Sequence, residues 1–214
     1  MYRTAIFDLD GTLLNTLDDL ADAVNYALAK FGYPTRSLAE VRRFVGNGVA
    51  NLIERSLPNS ERSADFDEVL ATFRVYYEKN SQNKTAPYEG ILDMLARLRE
   101  QGVRVAVVSN KFDAAVAALS RRYFGDLVEI AVGESQSRAK KPAPDGIFFA
   151  LEQLGEAREG AVYIGDSEVD AVTAANAGIP CISVLWGFRD REEIEAAGGS
   201  VFAESVAELE KLLL

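Results

Sequence analysis

The chain has 214 residues, 48% of them hydrophobic, which predicts a globular protein with one sizeable core and room for a small second module. Its formal charge of −10, from 33 acidic and 23 basic residues, argues against a nucleic-acid-binding or anionic-membrane surface. The chain contains no histidine, which excludes mechanisms that need an imidazole base or an imidazole metal ligand.

The first predicted element is a short apolar strand, Thr4–Phe7, that runs directly into Asp8-Leu9-Asp10-Gly11-Thr12. Carboxylates at the end of a buried strand are costly to desolvate unless they are paired. A divalent cation removes that cost and leaves one carboxylate free to act as a nucleophile. The alternative is a strand-to-helix turn in which one aspartate caps backbone N–H groups.

Residues 16–84 show helical spacing, with breaks at 32–34, 46–48 and 57–59, and no strand pattern. Thr16 is a candidate N-cap for the first helix, and Ser37-Leu38-Ala39-Glu40 is a candidate capping box. About 95 residues separate the first strand from the next, whereas a βαβ unit needs only about 30. We therefore expect a helical cap domain at 16–84, inserted into a core formed by 1–15 and 85–214. The chain is expected to cross between the core and the insert twice, and such a pair of crossings suits a hinge. The alternative is an insert that only adds bulk.

Further short apolar runs alternate with helical patterns through the rest of the chain. The runs are Val103–Val108, Val128–Val132, Ala161–Ile164 and Cys181–Leu185. Strands of this kind, alternating with helices, predict an α/β fold with a parallel sheet covered by helices on both faces. Phe148, Leu151 and Leu154 mark one of these helices, and Ser205-Val206-Ala207-Glu208 resembles a capping box at the start of the last.

Polar groups follow three of these strands. They are Ser109-Asn110, Lys140-Lys141-Pro142, and Gly165-Asp166-Ser167 with Asp170 one helical turn later. Ligands of open parallel sheets bind beyond the carboxyl ends of the strands, so these groups and the first aspartates are expected to converge. Taken singly, Ser109 also suits a helix cap, the lysine pair suits solvated surface, and the two aspartates suit a helix N-terminus.

Together these motifs resemble the haloacid dehalogenase superfamily over essentially the whole chain. Residues 8–12 match its first motif, Ser109 its second, Lys141 before Pro142 its third, and residues 165–170 its fourth. The resemblance implies a Rossmann-like core with a helical cap inserted between the first and second motifs. It also implies a phosphoric monoester hydrolase, because the dehalogenases of the superfamily lack an acid at the position of Asp10.

The resemblance implies a role for each catalytic residue. Asp8 is expected to attack phosphorus and form an aspartyl-phosphate. Asp10 is expected to protonate the leaving oxygen and then to deprotonate the attacking water. Ser109 and Lys141 are expected to bind the phosphoryl oxygens, and Lys141 is preferred to Lys140 because the family places lysine directly before proline.

The resemblance further implies Mg²⁺ as the cofactor. Its expected ligands are Asp8, the backbone carbonyl of Asp10, and Asp166, with Asp170 in support. Hard oxygen ligands of this kind suit Mg²⁺.

The substrate prediction is 2-phosphoglycolate, because Gly46-Asn47-Gly48, Ser109-Asn110-Lys111 and Trp186-Gly187 resemble the phosphoglycolate phosphatase branch. Thr12, Asn110, Lys111 and the 46–48 loop are the expected substrate-binding residues. The loop suits a simple helix break equally well, and Lys111 suits a solvated lysine at a helix start. Other small phosphorylated metabolites, such as nucleotides, sugar phosphates or pyrophosphate, remain as alternatives, as does a catalytically silent binding protein.

Other expectations concern the setting of the protein. The single cysteine, Cys181, cannot form an internal disulfide, so a reducing compartment and core packing are expected for it. No signal peptide or membrane-length apolar run is recognised, which predicts a cytoplasmic protein. The expected partner is a small phosphorylated metabolite, with no nucleic acid or membrane, and the chain is expected to be a monomer or homodimer.

Overall fold

The structure is a computed structural model that describes residues 2–46, 48–58 and 61–214. The chain folds into two compact units. The core unit comprises Met1–Leu14 and Pro87–Leu214, and the helical unit comprises Asn15–Ala86. The chain therefore leaves the core unit once and returns to it once.

The core unit is built on a parallel sheet with the strand order β5-β4-β1-β6-β7-β8. The strands are β1 (Thr4–Phe7), β2 (Leu14–Asn15), β3 (Ala86–Pro87), β4 (Arg104–Phe112), β5 (Ile130–Glu134), β6 (Ala161–Gly165), β7 (Cys181–Val184) and β8 (Phe202–Ala203). The short β2 and β3 pair with each other in a separate sheet. The expected α/β class with a parallel, Rossmann-like sheet is confirmed.

Two strands differ from their predicted bounds by more than one residue at an end. The second predicted strand continues past Val108 to Phe112, with a register shift against β5 after Val108. Gly133 of β5 permits this extension, because a Cβ there would lie only 2.6 Å from the carbonyl oxygen of Lys111. The third strand begins at Ile130 rather than Val128, since Gly125–Leu127 form a short 3-10 helix that delays it.

Helices cover both faces of the sheet. In chain order the α-helices are α1 (Leu17–Lys30), α2 (Leu38–Phe44), α3 (Val49–Ser56), α4 (Phe66–Asn80), α5 (Ile91–Glu100), α6 (Asp113–Tyr123), α7 (Asp145–Leu154), α8 (Glu168–Ala177), α9 (Arg191–Ala196) and α10 (Val206–Leu213). Phe7 of β1 is fully buried in a cluster that includes Ile91, whereas its neighbour Ile6 packs on the opposite face in a cluster that includes Ile147. Within the described ranges, no helix is both long and apolar enough to span a membrane.

Helix details correct three expectations. Thr16 occupies the N-cap position of α1, but its hydroxyl makes no capping bond, so the predicted cap is wrong. Leu151 and Leu154 of α7 are buried as expected, but Phe148 is 41% exposed, and its fully buried neighbour Ile147 occupies the inward face instead. Ser205 caps α10, but Glu208 accepts a bond from the Glu204 amide rather than completing a capping box.

The helical unit contains α1 to α4 around its own apolar core. Val24, Ile53, Val69 and Phe73 are almost fully buried there. The predicted capping box of Ser37 and Glu40 is present at the start of α2. These helices end and begin at the glycine- and proline-containing segments that the sequence marks as breaks.

A buried carboxylate ties the two ends of the helical unit together. Asp19, in the first turn of α1, is 2% exposed. It accepts hydrogen bonds from the Lys84 amide at 3.0 Å, the Thr85 amide at 2.9 Å and the Thr85 hydroxyl at 2.8 Å. These bonds hold the incoming and outgoing chain segments of the helical unit side by side.

Candidate active site

The central strands deliver the sequence-predicted acids to one edge of the core unit. Asp8 directly follows β1, and Asp166 directly follows β6, its neighbour in the sheet. The Asp8 amide donates to the Ile164 carbonyl oxygen at 2.8 Å, so the ladder between the two strands continues up to the acid itself. The carboxyl ends of parallel strands therefore place both acids together, as the sequence predicts.

Asp8, Asp166 and Asp170 form a compact acidic cluster, in which one oxygen from each carboxylate lies within 4.8 Å of the others. They are 8%, 1% and 0% exposed. Burial, opposed by Lys141 and reinforced by Asp170, raises the pKa of Asp8 to about 7. Burial together with the charges of Asp170 and Asp8 raises the pKa of Asp166 to about 8. Three buried carboxylates this close have more negative charge than the neighbouring protein groups neutralise, which is the situation that a bound cation relieves.

Lys141 is the cation inside this cluster. It is 5% exposed, and its Nζ lies 2.7 Å from Asp170 Oδ1 and 2.9 Å from Asp8 Oδ1. Burial alone lowers the pKa of a lysine, but Asp170 and Asp8 outweigh it and raise the pKa of Lys141 well above its usual value. The ammonium is therefore charged beside the expected nucleophile. Lys140, the alternative in the sequence, is exposed.

Two residues fix the position of Lys141. Asn110 donates to the Lys141 carbonyl oxygen at 3.1 Å and accepts from the Lys141 amide at 2.7 Å, so both ends of its side-chain amide bind the same backbone. The Tyr163 hydroxyl accepts from Lys141 Nζ at 3.1 Å. The role expected for Asn110 at the substrate stays a prediction, and no motif in the sequence marks Tyr163.

Asp10 is paired with Lys111. The Lys111 Nζ donates to Asp10 Oδ1 at 3.0 Å and lies 3.2 Å from Oδ2. Lys111 is not a helix-start residue, because β4 extends through it and α6 begins at Asp113. Its side chain is 12% exposed, so the interpretation of a solvated surface lysine is wrong. The expected acid–base residue thus has a cation beside it in the core unit.

Asp166 is held by hydrogen bonds to both carboxylate oxygens. The Thr12 hydroxyl donates to Oδ1 at 3.0 Å, and the Phe188 amide donates to Oδ2 at 2.7 Å. Gly187 is needed for this arrangement, because any Cβ there would overlap the Asp166 side chain. Thr12 is fully buried, so its described bond serves Asp166, while its expected contact with substrate stays a prediction.

The remaining predicted residues occupy different places. Ser109 is 6% exposed directly after Val108, and its hydroxyl accepts from the Lys111 amide at 3.3 Å. Asp170 also belongs to the capping box of α8, through bonds from the Ser167 amide and hydroxyl to its Oδ2. Gly46 and Gly48 lie in the helical unit with φ angles of 113° and 89°, in the left-handed region that favours glycine. Asn47, the third residue of that loop, lies outside the described residues.

Comparison with known proteins identifies the family. The model of the family described as haloacid dehalogenase-like hydrolase matches residues 5–184. The chain belongs to the haloacid dehalogenase-like hydrolase family. Its motif residues Asp8, Asp10, Ser109, Lys141 and Asp166 all fall within the matched range.

Relatives within this hydrolase family are named as phosphoglycolate phosphatases. The Pseudomonas putida enzyme of that name is 33% identical over 213 residues, covering 97% of this chain and 78% of its own. The Mesorhizobium japonicum phosphoglycolate phosphatase is 34% identical over 206 residues, covering 92% and 89%. A crystal structure of a Lactobacillus delbrueckii subsp. bulgaricus protein assigned as a phosphoglycolate phosphatase has a TM-score of 0.95 and 35% identity, covering 100% and 98%. These relatives support phosphoric monoester hydrolysis as the activity.

Proposed function

We propose that this protein is a Mg²⁺-dependent phosphatase that hydrolyses 2-phosphoglycolate to glycolate and phosphate. The observation that carries the proposal is the position of Asp8 in the core unit. It is a nearly buried carboxylate at a strand end, 2.9 Å from a buried ammonium and beside two further acids. A metabolic phosphatase of this family needs a nucleophile, a cation for the phosphoryl oxygens and a metal-binding cluster at one point.

Asp8 acts as the nucleophile in this proposal. Its Oδ1 accepts the bond from the Leu9 amide at 2.7 Å and contacts Lys141, and within the described ranges no residue donates to Oδ2. A carboxylate oxygen attacks phosphorus, the ester bond to the leaving oxygen breaks, and an aspartyl-phosphate forms. Lys141 and Ser109 bind the equatorial phosphoryl oxygens and offset their repulsion from the carboxylates.

Asp10 moves the protons of both half-reactions. In the first it gives a proton to the leaving oxygen, which departs as the glycolate hydroxyl. In the second it takes a proton from the water that attacks the aspartyl-phosphate, which releases phosphate and restores Asp8. With no histidine in the chain, no imidazole competes for this role.

The residues of the cluster fit a Mg²⁺ ion. Their oxygens are hard donors and lie close together, and burial and the neighbouring carboxylates raise the pKa values of Asp8 and Asp166, an effect that a bound cation would oppose. Asp8, Asp166 and the backbone carbonyl of Asp10 would hold the ion, with Asp170 in support. Bound there, Mg²⁺ would supply charge stabilisation for the transferring phosphoryl group.

Selectivity for phosphoglycolate is assigned to Lys111 and to the 46–48 loop. The carboxylate of 2-phosphoglycolate lies one carbon beyond the leaving oxygen that Asp10 protonates. The Lys111 ammonium lies 3.0 Å from Asp10, so it is the cation that we assign to this carboxylate. We further propose that residues 16–84 act as a cap whose glycine loop presents backbone N–H groups to the leaving group.

A steady-state panel of phosphate esters with Mg²⁺ tests the function. The panel contains 2-phosphoglycolate, a nucleotide, a sugar phosphate, pyrophosphate and an activated aryl phosphate, each measured with wild type and with Asp8→Asn. We expect the highest kcat/KM for 2-phosphoglycolate and no turnover by a correctly folded Asp8→Asn protein. Preference for another ester would reject phosphoglycolate, substantial activity of Asp8→Asn would reject the nucleophile, and no turnover of any ester would favour a silent binding protein.

A further inference from the structure

Tyr163 places a hydroxyl inside the proposed phosphate-binding centre. It lies in β6, is 0% exposed, and is the largest of the fully buried side chains. Neighbouring positions of that strand are apolar, and a phenylalanine ring would fill the same space in the core. The hydroxyl therefore adds something other than packing, because a buried hydroxyl must find hydrogen-bond partners to be tolerated.

The hydroxyl has three polar neighbours. It accepts from Lys141 Nζ at 3.1 Å, donates to the Val108 carbonyl oxygen at 3.0 Å, and lies 3.3 Å from Asp170 Oδ1. Val108 directly precedes Ser109 in β4. One hydroxyl thus connects Lys141 to the backbone that carries Ser109, so the two groups proposed to bind phosphoryl oxygens share an anchor.

The geometry of the ammonium shows what this anchor does. Lys141 Nζ has three protons and three acceptors, namely Asp170 Oδ1, Asp8 Oδ1 and the Tyr163 hydroxyl. When a phosphoryl oxygen arrives, the contact with Asp8 is the one that weakens, because phosphorylation of Asp8 removes the carboxylate charge that attracts the ammonium. The contacts with Asp170 and Tyr163 remain, and two anchors fix the direction of the third N–H, whereas one anchor leaves it free to rotate.

We propose that Tyr163 is a positioning residue whose hydroxyl directs the Lys141 ammonium at the transferring phosphoryl group. This inference rests on the phosphatase chemistry proposed above, in which Lys141 binds phosphoryl oxygens. Tyr163 itself touches neither the substrate nor the reacting atoms in this role. Its effect on the reaction passes through Lys141.

The test is Tyr163→Phe, which removes only the hydroxyl. Loss of a hydrogen bond to a charged group at a site of this kind is expected to lower kcat/KM by about 10-fold to 100-fold. The loss should appear for both 2-phosphoglycolate and an activated aryl phosphate, because the phosphoryl group is common to them. The inhibition constant of inorganic phosphate should rise in parallel, whereas a purely structural role would leave it unchanged.

Tyr33→Phe is the matched control, because it removes a hydroxyl that donates to Asp65 Oδ1 at 2.7 Å in the helical unit. It is expected to keep wild-type kcat/KM and phosphate inhibition. A second comparison uses Lys141→Ala, whose residual turnover of the aryl phosphate is measured with and without Tyr163→Phe. If Tyr163 acts through Lys141, the double variant should be no slower than Lys141→Ala alone.

Several outcomes would overturn the inference. These are wild-type kinetics of a folded Tyr163→Phe, a further loss of the same size in the Lys141→Ala background, or failure of Tyr163→Phe to fold, which would assign the hydroxyl to the fold itself. Failure of the proposed function is distinguishable, because in that case wild type itself turns over no phosphate ester.

Discussion

The buried acidic cluster predicts an unusual dependence of stability on pH in the metal-free protein. An acid whose pKa is higher in the folded state than in the unfolded chain binds more protons when folded, so stability falls as pH rises between the two values. For Asp8 these are 3.8 and about 7, and for Asp166 they are 3.8 and about 8. The metal-free protein is therefore expected to be more stable at pH 5 than at pH 8.

The size of the effect follows from proton counting. The charge of Asp8 raises the pKa of Asp166, and Asp170 raises the pKa of both, so we count one proton for the pair rather than two. One proton held by the folded state and released by the unfolded state across three pH units corresponds to about 4 kcal/mol. For a chain of this size that is a decrease in Tm of about 10 °C. Because the chain has no histidine, no imidazole contributes to the pH dependence of stability in this window.

The assay is thermal unfolding followed by circular dichroism, in EDTA and in Mg²⁺, at pH 5 and pH 8. Mg²⁺ should raise Tm more at pH 8, where protons no longer compete for the carboxylates. Asp166→Asn should show a smaller pH dependence in EDTA, because one acid of the cluster is gone. A metal-free Tm that is constant or increases from pH 5 to pH 8 would refute the reasoning.

Three further predictions concern turnover. Asp10→Asn should lower kcat by about 10²–10⁴-fold with a smaller change in KM, because the variant lacks the general acid and base. Rapid-quench measurements should show that the phosphoenzyme formed from an activated aryl phosphate persists longer than in wild type, and fast dephosphorylation would point to another base. Lys111→Met should lower kcat/KM for 2-phosphoglycolate at least about tenfold more than for a phosphate ester whose alkyl group carries no charge. Lys211→Met is the control, and equal losses for the two esters would show that Lys111 does not recognise the carboxylate. Gly48→Val should lower kcat/KM for 2-phosphoglycolate more than kcat/KM for an aryl phosphate, because valine is strained at a φ of 89°. If the ratio of the two kcat/KM values is unchanged, the loop is only a helix break.

The central sheet and the acids at its edge could be predicted because their signals are local. Asp8 and Asp166 each follow an uninterrupted apolar run, and a charged residue in that position is expensive without a partner. The proline after Lys141 distinguishes this lysine from Lys140, because the family pattern places lysine directly before proline. The structure makes the same distinction through burial, since Lys141 is 5% exposed and Lys140 is exposed.

The contacts that tune the site could not be predicted, because they join distant parts of the chain. Thr12 and Asp166 are 154 positions apart, and Asp10 and Lys111 are 101 apart. The Phe188 amide donates through its backbone, so its residue type carries no signal. Tyr163 is an ordinary strand residue by composition, and only the position of its hydroxyl in three dimensions distinguishes it from a packing residue.

The hydrogen bonds of Asp19 that tie the two ends of the helical unit together bear on how this chain is assembled from modules. Its bonds to the backbone of Lys84 and Thr85 close the ends of the 15–86 segment upon each other, using residues that belong to the segment itself. Closing a long segment costs little more conformational entropy than closing a short one, so the length of such an insertion is nearly free to vary. An inserted segment whose own residues hold its two ends together needs no matching residues in the sheet of the core unit. We therefore expect the part of the helical segment between Asp19 and Lys84 to tolerate changes of length while the two ends stay paired and the acids at the strand ends are left unchanged.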